Sequence, residues 1–273
     1  MPTGRSRTYD TEGVILRRRN MGEADSIFTV FSPTEGKFDA IARGVRKPKS
    51  RMRGHLEPLT RSKLHIAQGR NLDVFAQAET IAAYRTVRDD LGRLTLAVYF
   101  AELIDRFTSD RDPQANLYAL LLSGLEALDA GAPLTVGRYF EVQILALTGY
   151  ELQLVSCAVC GARIPEAETL FSANAGGLVC EACRPSAGYG RVLDVRAMKV
   201  LRFAASSTVG QFAGLKLDEE LEGQVRRSLD DAIRHVLERE TNSRRYVDSL
   251  AAPLRAPATV SVGDVQSAEP LET

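Results

Sequence analysis

The chain has 273 residues, 44% hydrophobic and 26% charged, which is enough apolar content for the cores of two or three units and excludes disorder of the whole. Its 35 Lys and Arg balance 35 Asp and Glu, but residues 1–80 hold fifteen cations against nine anions and the remainder twenty against twenty-six. A neutral total therefore hides a basic amino-terminal part and an acidic remainder.

Near the start, Val14-Ile15-Leu16 runs straight into Arg17-Arg18-Arg19, which is no secretory leader core. From Thr11 to about Ala83, runs of β-branched and aromatic residues alternate with turn signals, the pattern of a small antiparallel β unit. Five strands are expected: Glu12 to Arg18, Asp25 to Phe31, Lys37 to Arg43, Leu59 to Ala67 and Leu72 to Thr80. An oligonucleotide-binding (OB) barrel has that strand count. An SH3-like barrel or a small sandwich fits the periodicity nearly as well. Alternation in the fourth strand puts Arg61, Lys63 and His65 on one face and Ser62, Leu64 and Ile66 on the other.

Between the third and fourth strands, residues 43–53 place six cations and no anion in eleven positions: Arg43, Arg46, Lys47, Lys49, Arg51 and Arg53. Sequence-independent binding of nucleic acid is driven by phosphate neutralisation and counterion release, so this run is the first candidate for DNA or RNA contact. Arg17, Arg18, Arg19, Arg61 and Lys63 form a second tier. Phe28, Phe31, Phe38 and Phe75 sit in strand patterns that favour burial over base stacking, so phosphate contacts should lead. The bland alternative for the run is a solvated loop that binds nothing.

After Tyr84 the period becomes helical. Leu96, Tyr99, Phe100, Leu103, Ile104 and Phe107 form one core stripe; Leu117, Leu120, Leu121, Leu125 and Leu128 form another. The longest apolar stretch, Leu94 to Leu103, is broken by Thr95 and Glu102 and is too short to cross a membrane. A third helix from Thr135 to Leu147 ends at Gly149, a C-terminal capping position. Two more helices are expected, Asp194 to Ala205 and Asp218 to Glu240. The second steps by four through Leu221, Val225, Leu229, Ile233 and Leu237 and starts on Asp218-Glu219-Glu220, which suit its positive end. From Ala251 a Pro, Ala, Ser, Thr and Val composition without periodicity predicts a disordered tail.

Cys157-x2-Cys160 and Cys180-x2-Cys183 are nineteen residues apart, the paired-knuckle spacing of a tetrahedral zinc site. Gly161 relieves crowding beside Cys160, and Thr169-Leu170-Phe171 with Gly177-Leu178-Val179 reads as a small hairpin returning the chain to the second pair. Gly188-Tyr189-Gly190 reads as a flexible exit. Four thiolates leave no position for water or substrate, so one structural Zn²⁺ is expected; redox-active CxxC pairs or a redox sensor are the alternatives. GxxxxGK[ST], GxGxxG after a strand, HExxH and GxSxG are all missing, and only three histidines exist, so no enzyme is expected.

Glu12-Gly13-Val14-Ile15-Leu16-Arg17, Gly22-Glu23-Ala24-Asp25, Gly36-Lys37-Phe38 and Ala42 to Arg51 resemble the amino-terminal OB domain of the RecO family of bacterial DNA-repair proteins. Tyr99 with Glu102-Leu103, Phe140-Glu141 with Leu145, Thr148-Gly149-Tyr150 and Cys157-x2-Cys160-Gly161 resemble its helical domain and zinc module. The likeness covers about residues 8–245 and is most specific in the amino-terminal motif and the cysteines. It implies an α+β multi-domain fold, an N-terminal OB-fold β-barrel followed by an α-helical bundle with an inserted four-cysteine zinc module. The expected division is 1–82 barrel, 83–152 and 191–250 helical, 153–190 zinc module and 251–273 tail.

The resemblance also implies a non-catalytic recombination mediator that binds single- and double-stranded DNA, anneals complementary strands, works with RecR, engages the single-stranded-DNA-binding protein SSB and helps load RecA. Such a protein is expected in the cytoplasm, at the nucleoid and away from membranes. Some members of that family lack the cysteines, so the metal is implied to serve stability. A scaffold that organises other proteins without touching DNA is the rival reading.

Overall fold

A computed structural model describes residues 8–237; the tail expected over 251–273 and the helix end beyond Leu237 lie outside the described residues. Strands β1 (Thr8–Met21), β2 (Asp25–Ser32), β3 (Gly36–Ala42), β4 (Arg61–Ala67) and β5 (Asp73–Ala82) close into a barrel in the order β1-β2-β3-β5-β4. All neighbours are antiparallel except β3 and β5, which run parallel. This closure, with a single 3-10 turn (Arg53–Leu56) between β3 and β4, is the OB arrangement and resolves the choice that periodicity left open.

β1 is twice as long as its sequence pattern predicts. Thr8 to Val14 pair with β4, Val14 to Met21 pair with β2, and the register slips between Ile15 and Arg17. Such a bulge breaks the alternation of faces. Ile15 enters the barrel core with Phe28, Val30, Phe38, Leu64, Ile66 and Phe75. Its neighbours Val14 and Leu16 join the helical core instead. The strand is buried on both sides, so an apolar triplet marks it where alternation was sought.

The helices are α1 (Arg85–Asp89), α2 (Leu91–Phe107), α3 (Ala115–Asp129), α4 (Val136–Leu147), α5 (Val195–Ser206), α6 (Val209–Ala213) and α7 (Glu219–Leu237). The expected stripes are buried, with Phe107 and Leu237 packed at their edges. Phe100 of α2 and Phe140 of α4 stack at 3.9 Å. Asp90, Asp194 and Asp218 accept the N–H groups of Arg93, Ala197 and Leu221 at 2.9, 2.7 and 2.9 Å, satisfying helix starts that lack intrahelical partners. Inside the bundle the Tyr99 hydroxyl donates to Glu141 at 2.9 Å, and the Arg138 guanidinium lies 3.3 Å from the same carboxylate. Among the described residues no helix is long and apolar enough to cross a membrane.

The Gly36-Lys37-Phe38 motif turns out to clamp the barrel to the helices. Gly36 has φ +66°, and a Cβ there would lie 2.5 Å from the Asp112 backbone, so glycine lets the α2–α3 loop dock on the β2–β3 turn. The Lys37 ammonium donates to the carbonyls of Asp105 and Thr108 at 2.6 and 2.8 Å, capping the negative end of α2, and lies 3.1 Å from the Asp105 carboxylate. Arg111 covers the Phe38 ring at 4.7 Å and pairs with Asp73. Burial alone would raise the Asp73 carboxyl, but hydrogen bonds from Tyr9, Arg111 and the Gly69 N–H hold it below the usual range. Lys37→Met strands the two carbonyls and Asp105, and should cost about 2–4 kcal/mol given roughly 1.5–3 for each hydrogen bond to a charged group. Urea unfolding measures this; a midpoint equal to wild type would contradict the clamp.

Strands β6 (Thr169–Ser172), β7 (Gly177–Val179) and β8 (Arg191–Leu193) form a small sheet in the order β7-β6-β8. β6 and β7 are the expected hairpin. Gly188-Tyr189-Gly190 is not a loose exit but leads into β8, which pairs with β6 from Thr169–Leu193 to Phe171–Arg191. A three-residue strand followed at once by a helix is too short to show a period. Phe171, Leu178, Val179 and Leu193 are buried in the same core as the helices, so the module is seated on the bundle.

Candidate metal centre and nucleic-acid interface

The four cysteine Sγ atoms lie within 4.8 Å of one another. The first knuckle is closed by Gly161 N–H donating to the Cys157 carbonyl at 2.9 Å and Cys157 N–H to the Ala162 carbonyl at 2.7 Å. Gly161, with φ +75°, makes that turn without strain. Ala158 N–H donates to the Leu178 carbonyl at 2.8 Å, fixing the first pair to β7, and β7 delivers Cys180 directly. The second pair sits on a 3-10 turn, Glu181–Ser186.

Backbone N–H groups around the first knuckle, those of Cys160 and Cys180 foremost, draw the Cys157 thiol down to about 6. Cys183, hydrogen-bonded to the sulfurs of Cys160 and Cys180, is pushed up to about 12. Sulfur so crowded cannot lose every proton without a cation among the four atoms, and amides already aimed at a sulfur favour the thiolate that a metal ligates. The donor set and its backbone support fit a four-coordinate metal ion.

The basic run is a shaped loop. Val45 and Leu56 are buried in the barrel core and Met52 packs against it, so apolar residues anchor the segment from inside. From outside, Gly44 N–H donates to Asp25 Oδ1 at 2.7 Å, Arg46 N–H to the Ala24 carbonyl at 2.9 Å and Arg46 Nη1 to the Gly22 carbonyl at 3.0 Å. The Gly22-Glu23-Ala24-Asp25 motif thus holds the loop against the β1–β2 turn. Arg43, Arg46, Lys47, Lys49, Arg51 and Arg53 are all exposed, and among the described residues no carboxylate forms an ion pair with any of them. Six cations on a tethered loop raise the local potential without internal neutralisation.

The second tier divides. Arg17 lies 3.4 Å from Asp105, Arg18 3.9 Å from Glu57, Arg19 2.5 Å from Asp39, and Arg61 donates to both Glu12 oxygens at 2.9 and 3.0 Å. Part of the charge of these four arginines is therefore spent inside the protein. Lys63 is exposed on the outer face of β4, as alternation predicts. Phe28, Phe31, Phe38 and Phe75 are at most 3% exposed and offer no ring to a base.

An open cleft beside the loop was not visible in the sequence. Its walls come from β1, the 3-10 turn, β4 and β5, and include Arg51, Met52, His55, Lys63 and His65. Of the cations that follow Ile233 in the sequence, Arg234 lies 3.8 Å from Asp231, while Arg239, Arg244 and Arg245 lie outside the described residues.

Comparison with known proteins places both halves in one family. Residues 6–84 match the model of the Recombination protein O N terminal and residues 88–245 that of the Recombination protein O C terminal. DNA repair protein RecO of Roseiflexus sp. (strain RS-1) is 36% identical over 263 residues, covering 95% of this chain and 92% of that protein. DNA repair protein RecO of Desulforamulus reducens is 33% identical over 242 residues, 89% and 94% respectively. DNA repair protein RecO of Bifidobacterium longum subsp. infantis is 37% identical over 252 residues, 88% and 99%.

Proposed function

Because the chain belongs to the RecO family of DNA-repair proteins, we propose that it binds single- and double-stranded DNA through the β3–β4 loop and anneals complementary strands. With RecR it would then help load RecA onto single strands coated by SSB, in the cytoplasm at the nucleoid. One observation carries the DNA-binding part: six exposed cations on a loop tethered to the barrel, with no carboxylate paired to them among the described residues. Single strands repel one another through their phosphates. A surface that neutralises both lowers the encounter barrier, and base pairing supplies the free energy. Neither nucleotide hydrolysis nor a catalytic residue is required, and we assign none.

Cys157, Cys160, Cys180 and Cys183 would hold one Zn²⁺. Four thiolates close its coordination, so its contribution is to stability. The chain's own residues do the rest: Val45, Met52 and Leu56 seat the loop, and Asp25 and the Ala24 carbonyl shape it.

A strand-annealing assay with labelled complementary oligonucleotides, without nucleotide cofactor, tests the proposal. The protein should accelerate duplex formation, and an unlabelled oligonucleotide of unrelated sequence should compete. No acceleration together with no DNA binding would overturn it and leave the DNA-independent scaffold.

A further inference from the structure

The chain has three histidines, and two of them, His55 and His65, line the cleft beside the basic loop. Hydrogen bonds hold their rings in complementary states. Thr80 N–H donates to His55 Nδ1 at 3.2 Å, with the Thr80 hydroxyl 2.9 Å from the same nitrogen. That nitrogen accepts, so the neutral ring carries its proton on Nε2 as a donor. His65 Nδ1 lies 2.8 Å from Asp10 Oδ1. A carboxylate can only accept, so Nδ1 is the donor there and the neutral ring keeps Nε2 as an acceptor. With both rings neutral, the cleft presents a ring donor and a ring acceptor together.

Its other walls are mixed in kind. Met52 and Ala78 supply apolar surface, while Arg51 and Lys63 supply positive charge. Gln77 adds an amide, and Asp10 and Glu79 add carboxylates. Two carboxylates spoil a site for bare phosphate. They suit a ligand that has an anionic part and a neutral ring with amino and carbonyl edges, because a carboxylate accepts from a base's exocyclic amine while cations hold the backbone. The cleft measures about 660 Å³, within the roughly 300–1,000 Å³ of small-molecule sites. A nucleotide fits that space.

We propose that this cleft receives an unstacked nucleotide of a single strand whose backbone lies on the basic loop. Its base would rest on Met52 and Ala78 with its edges toward His55, His65 and Gln77, and its phosphates on Arg51 and Lys63. This rests on the DNA-binding function proposed above and adds a base-holding subsite to it. Gln77 and the two imidazoles can satisfy base edges of either hydrogen-bonding sense, so the subsite tolerates any sequence.

The experiment compares two single strands of equal length at fixed salt, one of mixed sequence and one with every base replaced by an abasic residue. Both carry the same phosphates. Wild type should bind the abasic strand about tenfold more weakly, the scale of one lost base contact. In the His65→Ala/Gln77→Ala variant that ratio should fall to about one while affinity for the abasic strand is unchanged. Equal affinity of wild type for both strands would overturn the subsite and leave the phosphate-binding loop intact. A ratio that survives in the variant would overturn it too, by placing base contact elsewhere. Failure of wild type to bind either strand would sink the DNA-binding proposal itself. Because the wild-type comparison needs no mutation, a misfolded variant does not rescue the idea.

Discussion

Replacing Arg46, Lys47, Lys49 and Arg51 by Ala should weaken single-stranded DNA binding on the order of several hundredfold at 0.1 M salt and abolish annealing. Each phosphate contact to a single strand contributes about 0.7 to the salt slope, so four contacts give nearly three log units between 1 M and 0.1 M salt. The fold should survive the change. These side chains are exposed and have no ion-pair partner among the described residues, while the anchors Val45, Met52 and Leu56 are untouched. Fluorescence anisotropy measures the affinity, and circular dichroism checks the barrel. Unchanged affinity in a folded variant would refute the loop as the DNA contact.

The second large effect is expected at the cysteines. Cys157→Ser/Cys180→Ser should take bound zinc from about one per chain to none and lower the unfolding temperature sharply, since structural zinc contributes roughly 10–16 kcal/mol in small modules. The damage should not stop at the sheet. Leu170, Phe171, Leu178 and Val179 share a buried cluster with Met198, Leu229 and Ile233, so a loosened module opens the bundle. The barrel has a separate core around Ile15, Phe28, Val30 and Phe75, so DNA binding in the cold should persist. Metal-free wild type, purified under reducing conditions and unfolding at the same temperature as metal-loaded protein, would contradict the structural role.

What the sequence revealed follows the range of the interactions involved. The second to fifth strands and the helical stripes were legible because burial of one face imposes a local period. The cysteine spacing was legible because two ligands three residues apart suit one metal ion. The charge run was legible as charge, and the Phe residues as core. β1 was legible only over Glu12 to Arg18; its further length and its bulge were not, because the bulge and two-sided burial put Val14, Ile15 and Leu16 into two different cores. β8 was missed because pairing with β6 makes it, not its own three residues.

Within the candidate interface, the partners of Arg17, Arg18, Arg19 and Arg61 were invisible. Arg61 and Glu12 stand 49 positions apart, and nothing in either segment signals the other. Lys37 could be read only as another cation of the basic end. Its task, closing the C-terminal turn of α2, exists once the barrel has docked on the helices. Charge composition therefore pointed to the candidate interface, while the fold decided which cations remain exposed.

On this proposal, unneutralised positive charge on the β3–β4 loop holds nucleotide backbones. The most direct measurement is the affinity of the wild-type protein for an unstructured single strand at increasing salt. Six phosphate contacts at about 0.7 each predict a slope of log K against log salt of roughly −4. A slope near zero would contradict the claim.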